Sequence, residues 1–140
     1  MKKLLSILLI ALVQFIPLNS YALLKSVSGA TGVLTVNSQS AAYAFVMSDI
    51  GRIVLHPTAD TTARTFTIPA NSVTPFPVGS MITIVNEVSA GVITLVITTD
   101  TLYWAGNTSS IGSRTITAYA VATIVKITST EWVVTGSGVT

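Results

Sequence analysis

Side chains able to do acid–base or metal chemistry are few in this chain: one histidine, His56, five carboxylates, Asp49, Asp60, Glu87, Asp100 and Glu131, and no cysteine. His56 stands in Leu55-His56-Pro57-Thr58, at the end of an apparent strand. One imidazole without thiols falls short of the usual zinc ligand set, and the carboxylates lack EF-hand spacing. No serine occupies a Gly-x-Ser-x-Gly elbow, so nothing marks a nucleophile for His56 to activate. His56 reads instead as a turn or packing residue. Each carboxylate lies near a predicted strand end, as where Asp60 precedes Thr61-Thr62 and Asp100 precedes Thr101. A carboxylate there accepts local backbone N–H bonds, a better reading than a glycosidase pair. Gly136-Ser137-Gly138 precedes no helix and lacks the setting of a phosphate cradle. The expectation is a protein with no catalytic site, no cofactor and no metal.

Binding chemistry is a different matter. Tyr103 and Trp104 are adjacent, and neighbours on a strand point to opposite faces. One ring is expected to pack inward and the other to lie near the surface, beside a predicted loop over 105–113. An exposed ring stacks on a sugar or anchors a protein partner. Tyr103, Trp104 and Asn107 are the candidate ligand-binding residues. Trp132, alternating with Val134, reads as core. Thr-x-Thr occurs at 65–67 and 115–117, but no coil period supports a regular threonine ladder.

The elements that must position these residues read as strands. After the first 22 residues Val, Ile and Thr dominate, and branched side chains favour extended backbone. Alternation marks 81–85, 92–98, 114–117, 122–128 and 132–135; Thr65-Phe66-Thr67-Ile68 is another short strand, stopped by Pro69. Ser89-Ala90-Gly91 reads as a hairpin turn between the strands at 81 and 92. Ile82-Thr83-Ile84-Val85 resembles Ala122-Thr123-Ile124-Val125, a match too short to be a repeat. Seven to nine short strands predict an all-β domain over 23–140, an antiparallel sandwich or jelly-roll-like fold.

Residues 1–22 have the layout of a secretory signal peptide: Lys2 and Lys3, an apolar run, then small residues Ser20 and Ala22 before a cleavage point. That helix implies export, with retention as a membrane anchor the alternative. Without the leader, Lys25, Arg52, Arg64, Arg114 and Lys126 balance the five carboxylates. A neutral domain has no electrostatic footprint for nucleic acid. It contacts a membrane only through an uncleaved leader. Half the residues are apolar and 9% are charged, a composition suited to subunits that bury surface in an oligomer.

From about residue 44 onward the chain resembles a module common in bacteriophage tail-fibre and receptor-binding proteins. The resemblance is carried by Ser48-Asp49-Ile50-Gly51-Arg52-Ile53, by 60–69 with Thr-Phe-Thr-Ile-Pro, by Phe76-Pro77-Val78-Gly79-Ser80-Met81, by Gly112-Ser113-Arg114-Thr115-Ile116, by 122–127, and by Trp132-Val133-Val134-Thr135-Gly136. Similar modules are all-β, often trimeric, and are displayed on virions. The resemblance implies a homotrimeric virion or cell-surface protein that binds a host glycan or a capsid: a spike, fibre tip or decoration subunit. A bacterial exported adhesin or carbohydrate-binding module is the alternative, and an exported hydrolase a distant third.

Overall fold

The structure is a computed structural model and describes residues 32–140, so the expected signal peptide lies outside the described residues. Ten strands account for most of what is described: β1 (Val36–Ser38), β2 (Tyr43–Ala44), β3 (Ile53–His56), β4 (Arg64–Ile68), β5 (Met81–Asn86), β6 (Ile93–Ile97), β7 (Thr101–Trp104), β8 (Asn107–Ile111), β9 (Arg114–Lys126) and β10 (Glu131–Val139). A single 3-10 turn, Met47–Asp49, interrupts them. The all-β class expected from the Val/Ile/Thr content is what the chain adopts.

The pairing differs from the antiparallel expectation. Five of the nine strand pairings are parallel and four antiparallel. The first six strands alternate between two wings of one sheet. β1, β3 and β5 pair in parallel in the first wing, and β2, β4 and β6 in the second. Each odd–even pair is thus one turn of a short two-sided coil. β5 and β6 do not pair with each other, which corrects the hairpin expected at Ser89-Ala90-Gly91. That segment moves the chain from one wing to the other, and Gly91 N–H bonds Asp60 O instead.

β9 closes the coil. Its first residues pair antiparallel with β6 (Ile93 opposite Ile116) and residues 120–125 with β5 (Met81 opposite Val125). One thirteen-residue strand therefore stitches both wings together. β10 pairs with the other edge of β9, and β7 and β8 continue that wing. The two segments whose likeness was noted at 82–85 and 122–125 lie side by side, with Thr83 opposite Thr123. Residues 105–113 are not a plain loop: β8 folds back on β7 around Ala105-Gly106.

The core fills the space between the wings. Val54, Ile82, Ile84, Ala122, Ile124, Trp132, Val134 and Leu102 come from the first wing, and Phe66, Ile68, Ile93, Leu95 and Ile116 from the second. These are alternate positions on each strand, as the two-residue side-chain period requires. Tyr43, Phe45 and Phe66 meet edge to face with centroids about 6 Å apart, and Phe76 caps Trp132 at 5.4 Å. At Gly136 a β-carbon would collide with the Val121 carbonyl and Ala122, so only glycine lets β10 approach β9 there.

Candidate functional site

The outward positions of the first wing form a surface of one kind. Strand register aligns them in three rows. Met81, Val125, Val133, Tyr103 and Ile111 make the first. Val36, Ile53, Thr83, Thr123 and Thr135 make the second. Ser38, Leu55, Val85, Val121 and Ser137 make the third. All are half-buried or exposed, and none carries a charge. The second wing presents hydroxyls: Thr65, Thr94 and Thr115 lie in register across three strands. A threonine ladder therefore exists there, produced by pairing of unequal turns that leave no period in the sequence.

Glu131 sits at one rim of the uncharged face. It accepts hydrogen bonds from Tyr103 Oη at 3.1 Å and Thr128 Oγ1 at 2.9 Å. Hydrogen bonding to Glu131, then its charge, then burial raise the Tyr103 phenol above its usual range. Tyr103, Trp104 and Asn107, the residues expected to bind ligand, come together around a surface recess of about 430 Å³ that also includes Ile127, Glu131 and Val133. Their roles divide. Trp104 packs against the core with the Arg114 guanidinium 5.8 Å from its ring centre. Tyr103 lies on the outer face. The exposed Asn107 accepts from Ser109 N–H at 3.2 Å, an Asx turn. The surface ring of the pair is thus Tyr103, and Trp104 is the inward one.

At the opposite rim β9 changes partner, and residues 117–119 lie between its two pairings. Tyr119 has φ +57°, a left-handed conformation that costs a bulky residue about 1–3 kcal/mol. Its N–H bonds Glu87 O at 3.1 Å, and the residue is 83% exposed. Tyr119 itself lines a second recess of about 400 Å³, together with Thr58, Val85, Glu87, Val88 and Val121. Sequence reasoning gave Tyr119 no weight, because Thr-Ala-Tyr-Ala contains none of the residues that mark a left-handed turn.

The kink is held from beneath by a buried polar chain. Asn86 Nδ2 faces three carbonyls, Gly91 O at 3.0 Å, Ile116 O at 3.1 Å and Thr117 O at 2.9 Å. That fixes its orientation, so Oδ1 accepts from His56 Nδ1 at 3.0 Å. His56 Nε2 lies 3.1 Å from Asp60 Oδ2. Asp60 is held in turn by Arg64 Nε and NH2 at 2.6 and 3.1 Å and by Thr62 N–H at 3.1 Å. The Arg64 bonds, helped by His56 and the Thr62 N–H, push the Asp60 carboxyl well below its ordinary range against a smaller opposing effect of burial. His56 is wholly buried, and the chain ends on main-chain carbonyls. It braces β5 against β9, a packing role as expected, though not at a turn.

The other carboxylates also serve backbone or neighbours. Asp49 accepts from Val46 N–H, Tyr43 Oη and Asn37 Nδ2 at 2.9, 2.8 and 2.9 Å. Glu87 accepts from Thr58 N–H at 2.7 Å, and Asp100 from Asn71 N–H at 3.4 Å. Burial, then hydrogen bonding to Asp49 and its charge, push the Tyr43 phenol up to about 12. Lys126 is 1% exposed; its Nζ donates to Asn71 Oδ1 at 2.7 Å and lies 5.3 Å from the Trp132 ring centre. Among the described residues no cluster of three or more His, Cys, Asp or Glu could hold a metal ion. Among them, too, no helix is long and apolar enough to cross a membrane. The sequence matches no protein-family model and no curated protein.

Proposed function

We propose that this chain is a non-catalytic, virion-type assembly and attachment subunit, a homotrimer that acts as a spike, fibre tip or capsid decoration. The observation that carries the reading is the uncharged outer face of the first wing. Its core is free of charge and its rims hold Glu131 and Glu87, the anatomy of a protein–protein interface. Each row crosses five strands, and at ~4.8 Å between strands and ~3.3 Å per residue the three rows cover roughly 400 Å² in flat projection. Side-chain relief raises the accessible area above that, toward the ~800 Å² per partner of a stable complex. A solitary subunit would leave Val36, Met81, Val121 and Ile111 in water. The bacteriophage-like sequence order supplies the virion setting, and the expected leader fits display outside the cytoplasm.

Light scattering on the full chain tests the reading. The expected result is a trimer whose mass persists on dilution, and a monomer for Thr135→Lys, which sets a charge in the middle row at an exposed position. A monomeric wild-type protein at all concentrations would overturn it. The recess at Tyr103 supports a second reading, an exported adhesin or carbohydrate-binding module. Glycan-array binding that disappears in Tyr103→Ala while the trimer persists would select that reading.

A further inference from the structure

We propose that Tyr119 is the anchor by which copies of this chain hold one another: its ring enters the recess that Val85, Val88, Val121 and the copy's own Tyr119 line on the neighbouring copy. The proposal rests on the assembly reading and deepens it. Two unfavourable features coincide at this residue. Its backbone sits in a region that bulky side chains avoid, and the residue is 83% exposed. Among the described residues neither is offset, since no side-chain hydrogen bond or ring pairing there involves Tyr119.

The presentation is rigid. Asn86 clamps the carbonyls of Ile116 and Thr117, and Glu87 O fixes the Tyr119 N–H. A ring held in place loses little freedom on docking, which is the physical basis of preorganised anchors. Tyr119 forms one wall of a recess of about 400 Å³, whose other walls include Val88, 55% exposed, and Val121, 47% exposed. Knob and hole thus occupy one patch, and the third row of the uncharged face runs into it through Val85 and Val121. A surface that carries both halves of a contact fits another copy of itself, and such contacts close into rings when the rotation allows. The roughly 400 Å² of projected face needs further apolar area to reach a standard interface, and a buried tyrosine supplies ~150–250 Å².

Analytical ultracentrifugation of the full chain, run on wild type, Tyr119→Ala, Tyr119→Gly, Tyr119→Phe and Thr135→Lys, tests this. Tyr119→Ala and Tyr119→Gly are expected to weaken assembly about 30-fold or more, as loss of an aromatic anchor buried in the partner does. Tyr119→Phe keeps assembly within several-fold. Tyr119→Gly also relieves the left-handed strain, so its dissociated subunit melts about 4 °C or more higher than that of Thr135→Lys. Opposite signs for subunit stability and assembly are something a residue needed only for folding would not give. If wild type assembles, Thr135→Lys dissociates it, and both Tyr119 truncations leave assembly intact, the anchor is wrong and the assembly reading stands. If wild type is monomeric, the assembly reading fails and takes the anchor with it.

Discussion

Replacing Asn86 with alanine probes the brace beneath the kinked strand. The side chain gives two amide hydrogens to three carbonyls and one oxygen to His56 Nδ1. Alanine leaves the buried Ile116 carbonyl and the buried His56 nitrogen short of a partner, at ~1–3 kcal/mol each, and removes net hydrogen-bond energy of ~1 kcal/mol at the remaining contacts. The total is ~3–7 kcal/mol, a large part of the ~5–15 kcal/mol that holds a domain. With a urea slope of ~2 kcal/mol/M, a loss of ~4 kcal/mol lowers the unfolding midpoint by ~2 M. Fluorescence of the buried Trp132 reports the transition in the full-length protein. Asn86→Asp keeps the size but turns oxygens toward three carbonyls, so it should be at least as harmful at neutral pH. His56→Ala combined with Asn86→Ala should cost less than the two separately, because both remove the same contact. A midpoint shift under ~0.5 M for Asn86→Ala, against a slope of ordinary size, would refute the brace.

Other outcomes follow from the same structure. Phe66→Ala, which empties the place where Tyr43, Phe45 and His56 rings converge, should destabilise by ~3–5 kcal/mol in the same urea assay. Gly136→Ala should prevent close pairing of β10 with β9 and lower the melting temperature well beyond the same change at an exposed turn glycine such as Gly106. The Asp60 carboxyl is depressed in the folded chain, so its contribution is present above the ordinary carboxylate range near 3.8 and fades as pH falls below it. Asp60→Asn should flatten the urea midpoint against pH in that acid window. Tyr43 is raised to about 12 from 10.0, so its contribution is complete below pH 10 and fades as pH rises toward 12. Tyr43→Phe should remove that alkaline loss, and in ultraviolet titration it should abolish one of the late phenols, leaving the raised Tyr103.

Faces were legible in the sequence, but neighbours were not. Ile82 and Ile84, Ile93 and Leu95, Trp132 and Val134 are buried as alternation implied. Alternation reports which side a residue faces and is silent on which strand lies beside it. The parallel stacking of β1, β3 and β5 therefore left no local mark. Ser89-Ala90-Gly91 has hairpin chemistry, yet the same short turn serves equally well to pass between wings. The Tyr103-Trp104 split into outward and inward rings followed from strand geometry; which was which depended on the parallel match of Trp104 with Val134. The uncharged face was hidden because Thr and Val outward positions look like ordinary strand filler until register places three rows together. Tyr119 was missed because its left-handed backbone is imposed by Asn86, 33 positions earlier, and not by its own neighbours.

The thirteen-residue strand that belongs to both wings also sets the order of synthesis. Eight strands leave the ribosome before it; the first six pair with one another only in parallel between non-consecutive segments, and β7 and β8 pair only as a local antiparallel hairpin. Until residues 114–126 emerge, the two halves have no common seam, and open strand edges and apolar surface stay available to other chains. Such non-local closure makes for slow folding and aggregation-prone nascent chains. A translation pause or a truncation before Arg114 should therefore yield inclusion bodies rather than a smaller soluble fold.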